Sequence, residues 1–249
     1  MKKYIVAACL FSFLLNCNEE VNISFVQTEI ETEKDAKIAI HIPKASGTKS
    51  VSETINKTLV NYVANLNVMD TDSIINSSLE EAVEEFNSDY NSFIKDFPDT
   101  VRKWEFFVDG EVTYKSPELI SIAINSYTDT GGAHGNTIIR FFNFDAQTGR
   151  ELSKQDLIKD EKTFSKIAER IFEEETAQKN ESHQESGNAM QDFFFGEDFQ
   201  LPETIGFSDE GVLILYNTYE IAAYAQGITE FTITYPETEG TLRYNPIEY

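Results

Sequence analysis

Residues 119–144 read LISIAINSYTDTGGAHGNTIIRFFNF. Two runs that alternate apolar with polar side chains, 119–127 and 137–144, flank the pentapeptide Gly131-Gly132-Ala133-His134-Gly135. A period of two puts one face of each run into a core and the other toward solvent. Three glycines within five residues supply the backbone freedom a tight reversal needs. The stretch predicts a long antiparallel β-hairpin with an imidazole at its tip.

Upstream, residues 104–114 form a β segment that Asp109-Gly110 is expected to break as a hairpin turn. Leu79, Val83, Phe86, Tyr90, Phe93, Ile94 and Phe97 make one apolar helical stripe, capped by Ser77 or Ser78 and stopped before Pro98. Its other face carries Glu80, Glu81, Glu84, Glu85 and Asp89, and an acidic first turn suits the helix dipole. Val51, Ile55, Leu59, Tyr62, Val63 and Leu66 recur at the same spacing. Ile38, Ile40 and Ile42 alternate with Lys37, Ala39 and His41 in a strand expected to end at Pro43, with a turn over 44–49. Ile23 and Phe25, then Val26, Thr28 and Ile30, suggest a first strand with a slip of phase.

Downstream, residues 151–158 read as a short helix or turn, and Phe164, Ile167, Ala168, Ile171 and Phe172 as a third amphipathic helix. Acids at 173–175 oppose its dipole, and 178–192 reads as a polar insertion. Phe207 leads through Ser208-Asp209-Glu210-Gly211 into Val212, Ile214 and Tyr216, and residues 231–235 form a last strand closed by Pro236. Strands mixed with segregated helices, without regular βαβ alternation, give the class α+β: antiparallel sheets with amphipathic helices packed on one side.

The chain has 249 residues, enough to bury a sizeable core, and 41% hydrophobic composition excludes disorder. Its formal charge of −23, from 20 basic and 43 acidic residues, argues against nucleic acid as a partner, since phosphate binding needs clustered Lys and Arg. That field either keeps a surface protein soluble or draws in a basic partner. Lys2 and Lys3 precede an apolar run, residues 5–15, too short to span a bilayer. Leu14-Leu15-Asn16-Cys17 then resembles the lipobox of bacterial lipoproteins, although Asn16 replaces the usual small residue. Residues 1–16 are accordingly expected to be a signal peptide, Cys17 the lipidated first residue and 17–22 a short tether. Loss of Lys2 and Lys3 takes the charge from −23 to −25. Cys9 leaves with the signal and Cys17 goes to lipid, so neither a disulfide nor a zinc–thiolate site is expected. The expected location is the cell envelope, lipid-anchored to a membrane. In a Gram-negative cell this is the outer membrane, where Asn18-Glu19-Glu20 resembles a surface-routing tag.

Tyr127 through Gly135, with its Gly-Gly-Ala-His core, resembles the end of the N-terminal domain of the PdaC-type peptidoglycan deacetylases. That domain also occurs in the extracytoplasmic part of RsiV-type anti-sigma factors. Residues 207–211, followed by Tyr219-Glu220-Ile221-Ala222-Ala223-Tyr224-Ala225-Gln226-Gly227, resemble the RsiV C-terminal domain, which carries proline where Ala223 stands. The resemblance runs over about residues 21–236 and implies two closely associated subdomains, 23–150 and 151–249. It implies Tyr219, Glu220, Tyr224 and Gly227 as family-motif positions. For the RsiV type it implies binding of lysozyme, a cationic muramidase. No deacetylase domain and no cytoplasmic or transmembrane signalling part is recognisable here.

Catalysis finds little support in the residues. His41, His134 and His183 stand in three different segments, so no spacing matches the zinc motifs of deacetylases or peptidases. There is no Gly-x-Ser-x-Gly elbow and no phosphate loop. Asp70 and Asp72 lack the remainder of a calcium loop. His134 reads either as a general base or ligand at a loop tip, or as a hairpin residue bonded to backbone; the second reading is preferred. Tyr114, Tyr127, Tyr219 and Tyr224 either line a glycan groove or pack in the fold. The expectation is a non-enzymatic envelope protein without cofactor or metal, binding lysozyme-like cationic hydrolases, with Gly131–Gly135 either a contact loop or a structural hairpin tip. The alternatives are a peptidoglycan- or glycan-binding accessory module and a hydrolase using His134.

Overall fold

The structure, a computed structural model, describes residues 21–67, 76–99, 102–183 and 193–244. Cys17, Asp70, Asp72 and the side chain of His183 lie outside the described residues. The first half runs β1 (Ile23–Thr32), β2 (Lys37–Gly47), α1 (Lys49–Ala64), α2 (Leu79–Asp96), β3 (Glu105–Lys115), β4 (Leu119–Asp129) and β5 (Asn136–Asp145). The second runs α3 (Lys154–Leu157), α4 (Glu161–His183), β6 (Ile205–Phe207), β7 (Gly211–Tyr216) and β8 (Thr229–Thr234). The strands form one sheet ordered β1-β2-β3-β4-β5 and another ordered β6-β7-β8. The molecule is α+β.

Every pairing is antiparallel except β2 with β3, which is parallel. The chain between those two strands holds both α1 and α2, the kind of crossover a parallel pair requires. Those helices cover one face of the larger sheet. Val51, Ile55, Leu59 and Val63 of α1 and Leu79, Ala82 and Phe86 of α2 meet Ile38, Ile40, Phe106, Val108, Ile120, Ile122 and Phe142. Ser78 caps α2 by accepting the Glu81 N–H, as the sequence predicts.

Three local expectations are corrected. Strand β2 does not stop at Pro43 but continues to Gly47. Pro43 lies beyond the last β2–β3 pair, His41 with Asp109, where that side of the strand needs no donor. Asp109-Gly110 is not a turn: both residues pair with β4 inside β3. A Cβ on Gly110 would stand 2.6 Å from Pro43 Cδ and 2.8 Å from Ile124 Cδ1, so close packing is what demands glycine. Finally, the third long helix does not end near 175 but runs through the polar residues 178–183 to His183.

The slip of phase in β1 is real, and β2 shares it. Ile23, Phe25, Thr28 and Ile30 turn inward while Val26 and Gln27 are exposed. In β2 the inward set changes from Ile38, Ile40 and Ile42 to Pro43 and Ala45, with the register unbroken. The two-stranded ribbon therefore turns over as a unit, as the strong twist of a sheet edge allows.

A second core gathers Phe164, Ala168 and Phe172 of α4 with Phe207, Val212, Ile214, Tyr216 and Ile233 of the smaller sheet. Tyr114 and Leu119 from the larger sheet join it. The seam between the sheets is stitched by side chains of β4 and β5 that bond the backbone edge of β6. Ser121 Oγ accepts the Phe207 N–H at 3.1 Å, and Asn143 donates to the Ile205 carbonyl at 2.7 Å, both buried. An edge strand packed inside the protein thus has backbone partners without a continuous ladder.

Candidate functional site

At the tip of the β4–β5 hairpin, conformation is set by one buried carboxylate. The side chain of Asp129, with no exposed surface, ends β4 and pairs with Arg102. Its Oδ1 accepts the Gly131 N–H at 2.9 Å, and Oδ2 accepts the Tyr127 hydroxyl at 3.3 Å. Burial and the neighbouring carboxylate raise the Tyr127 phenol's pKa, so it stays protonated and donates. The aspartate-centred turn leads into Gly131 at φ +85°, a conformation that favours glycine. Gly135 lies over the Tyr127 ring, where a Cβ would come within 2.3–2.4 Å of its atoms. Gly132 and Ala133 are exposed between them.

His134 Nδ1 lies 2.9 Å from the Gly135 carbonyl. A carbonyl only accepts, so Nδ1 carries the proton in this contact, leaving Nε2 free to accept in the neutral ring. The Tyr219 hydroxyl stands 3.5 Å from that Nε2. The His134 ring stacks on Tyr224 with centroids 3.9 Å apart and planes 20° apart. Tyr219 and Tyr224 lie 5.4 Å apart. The two stretches singled out in the sequence, 131–135 and 219–227, thus meet as one ring cluster. Tyr219 keeps 56% and Tyr224 39% of their surface exposed.

The meeting is enforced by a residue that sequence reading missed. Asn217, just past β7, accepts the Ile139 N–H at 2.8 Å and donates to the Ile139 carbonyl at 3.0 Å. It thereby docks the following turn onto β5. Glu220 Oε2 accepts the Asn217 N–H at 2.8 Å and closes the turn, while Ile221 and Ala222 are buried beneath it. Between them Tyr219 is held at φ +68°, a state that costs a non-glycine residue about 1–3 kcal/mol and persists only where its neighbours dictate it. Tyr224 opens a 3₁₀ turn, Tyr224–Gln226, which Gly227 ends.

Ala223, before that turn, has φ −63° and ψ 153°, angles a proline adopts without strain. Ala223→Pro is expected to raise stability by about 0.4–1 kcal/mol by restricting the unfolded chain. Urea denaturation checks this, and a fall in midpoint would refute it.

The remaining nominated residues do not join this cluster. His41 contacts Glu31 at 3.0 Å on the β1–β2 ribbon. Tyr114 is buried in the second core and Tyr127 lies under the loop, so only two of the four tyrosines form an exposed surface. Among the described residues no group of three or more His, Cys, Asp or Glu side chains gathers as a metal site. No helix among them is long and apolar enough to cross a membrane.

Two family models match the chain in tandem. One described as Deacetylase PdaC matches residues 30–137, and one described as a protein of unknown function, DUF3298, matches residues 155–236. The ring cluster draws His134 from the first and both tyrosines from the second. Anti-sigma-V factor RsiV of Bacillus subtilis is 25% identical over 253 residues, covering 92% of this chain and 78% of its own. The peptidoglycan-N-acetylmuramic acid deacetylase PdaC of the same organism is 28% identical over 107 residues, covering 42% of this chain. The match spans only 22% of that deacetylase. The fold is shared with a DUF3298 family protein of Pseudomonas aeruginosa PAO1, at a TM-score of 0.61 and 21% identity over 91% of this chain and 96% of that one. It is shared likewise with one from Bacteroides fragilis, at a TM-score of 0.57 and 20% identity over 91% and 95%.

Proposed function

We propose that this chain is a non-enzymatic, extracytoplasmic binding module of the bacterial envelope, and that the His134–Tyr219–Tyr224 surface contacts a strongly basic protein of the lysozyme class. The observation that carries this reading is the convergence of the two family-like stretches into one exposed ring cluster. Similarity to an anti-sigma factor over most of the chain, and to only 22% of a deacetylase, favours binding over catalysis. The division of labour follows from physics. A net charge of −23 raises the encounter rate with a cationic partner, while partly exposed tyrosines on a pinned turn supply rigid contact area at small entropic cost.

Titration calorimetry of the full chain with a c-type lysozyme tests the reading. Affinity should fall at least about tenfold as salt rises from low to moderate ionic strength, because the steering field is screened over roughly 10 Å at 0.1 M. Tyr219→Ala with Tyr224→Ala should weaken binding a further tenfold or more, about 1.4 kcal/mol or above, at every salt concentration. Heat no greater than that from an equally acidic unrelated protein would sink the proposal. So would an affinity indifferent to both tyrosines.

A further inference from the structure

Helices α1 and α2 cover only one face of the five-stranded sheet, the face that carries Ile38, Ile40, Phe106 and Val108. Alternation puts the intervening residues on the other face. Pairing lines these up in rows across the strands: Glu29, His41, Asp109, Asn125 and Ile139 form one. Glu31, Ala39, Phe107, Tyr127 and Thr137 form the next. Glu111 follows Asp109 on the same face of β3. None of these residues is buried, and Glu29, Glu31, Asp109 and Glu111 are exposed. Strand β6 covers this face only farther along, at Ser121 and Asn143. What stays open is a floor of five strands spaced about 4.8 Å apart, roughly 20 Å wide.

The floor is continuous with the ring cluster. Ile139 ends the first row, and Asn217 bonds both of its backbone groups, so the turn bearing Tyr219 and Tyr224 stands at that border. In the second row Phe107 and Tyr127 stack with centroids 6.0 Å apart, and Gly135, next to His134, lies over the Tyr127 ring. A patch of this width and similar length is half of what a standard interface takes from each partner, roughly 800 Å², and the ring cluster adjoins it. The charges select the partner. His41 lies 3.0 Å from Glu31 and Lys37 lies 3.7 Å from Glu105, at the end of the same face. Glu29, Asp109 and Glu111 enter no ion pair among the described residues. Glu29 and Asp109 flank His41 in one row, so these uncompensated carboxylates crowd one side of the floor. Nucleic acid and anionic lipid are repelled there, and so is the same face of a second copy. A basic protein surface is attracted, and its cations offset the mutual repulsion of the carboxylates.

We infer that this open floor receives the basic surface of a protein partner, with Glu29, Asp109 and Glu111 drawing it in and the ring cluster fixing its register. The floor's role rests on the proposed binding of a basic, lysozyme-class protein, but the two fail separately. Association and dissociation rates of the full chain with a c-type lysozyme test it. Glu29→Gln, Asp109→Asn and Glu111→Gln together should slow association about tenfold at low salt and flatten its salt dependence, because interfacial charges act mainly on the encounter. Dissociation should change less than about threefold, whereas Tyr219→Ala with Tyr224→Ala should act chiefly on dissociation. A second triple variant, Glu84→Gln, Glu173→Gln and Glu175→Gln, removes the same charge from exposed positions on α2 and α4. Lying away from the floor, those changes should slow association less than about threefold. Amide shifts of the unmodified protein supply a measurement independent of how any variant folds: lysozyme should move those of Ala39, Phe107 and Asn125. Equal slowing by the two triple variants overturns the floor's role, since the field of the whole molecule then suffices. Unmoved floor amides overturn it, as does a chain that sediments as a dimer through this face. Binding that ignores the floor but needs both tyrosines overturns the floor alone, and no binding by the unmodified chain overturns both.

Discussion

Asp129→Ala should lower stability by about 2–3 kcal/mol and dissolve the ring cluster together with the hairpin tip. The carboxylate is buried and serves three donors: the Gly131 N–H, the Tyr127 hydroxyl and Arg102. Removing one member of a buried ion pair commonly costs about 3–5 kcal/mol, because the stranded charge cannot find water. Here the Arg102 side chain is 55% exposed and rehydrates when its partner goes, which places the loss at the lower end. The conservative change separates the turn from the charge. Asp129→Asn keeps an oxygen for the Gly131 N–H but puts an NH2 where Oδ2 accepted from Arg102 and the Tyr127 hydroxyl, so it should cost less than the alanine change, about 1–2 kcal/mol. Urea denaturation gives the stabilities, and the ring-current shift of the His134 protons reports the stack on Tyr224. If both variants lose the same stability, the aspartate-centred turn is not what holds the loop. If Asp129→Ala keeps the ring-current shift, the cluster is held from the Tyr219 side alone.

Asp129-Thr130-Gly131 carries a common signature of a side-chain-closed turn that reading the loop from its glycines and His134 passed over. The larger architecture was legible: periods of 2 and 3.6 in residues 119–144 and in the stripe from Leu79 report directly which face is buried. What failed to show was anything decided by a partner distant in the chain. Gly110 resembles a turn glycine until Pro43 and Ile124 are packed against it. Pro43 resembles a strand stop until β3 is seen to end its pairing two residues earlier. Residues 178–183 read as loop because they are polar, yet extending a formed helix requires far less than nucleating one, and Gln178, Lys179 and Glu181 are good helix formers. The site was half legible. Both of its stretches stand out, but the contact between them spans 85 positions and depends on Asn217, which no local pattern distinguishes.

Gly206→Ala should cost about 2–3 kcal/mol, with part of the loss recovered by a second change across the seam. A Cβ on Gly206 would stand 2.4, 2.5 and 2.8 Å from three ring atoms of Phe141, a side chain only 6% exposed. Strand β6 cannot retreat, because its neighbours on either side are pinned: the Ile205 carbonyl by Asn143 and the Phe207 N–H by Ser121. Strain therefore goes into the Phe141 ring or the seam itself. Phe141→Leu alone should cost about 1–2 kcal/mol through a partly collapsed cavity. Combined with Gly206→Ala, the new methyl occupies part of that space, and the double variant should lose at least about 2 kcal/mol less than the sum of the single losses. Denaturation of the four proteins gives the coupling; additivity within about 0.5 kcal/mol would mean the two residues do not share the space. The same cycle tests the proposed binding surface. Phe141 stands two residues along β5 from Ile139, the anchor of Asn217, so any displacement of the smaller sheet carries Tyr219 and Tyr224 away from His134. Lysozyme affinity should accordingly fall in Gly206→Ala and return in the double variant. Affinity that ignores the cycle while stability follows it would place the partner's contacts elsewhere than on the ring cluster.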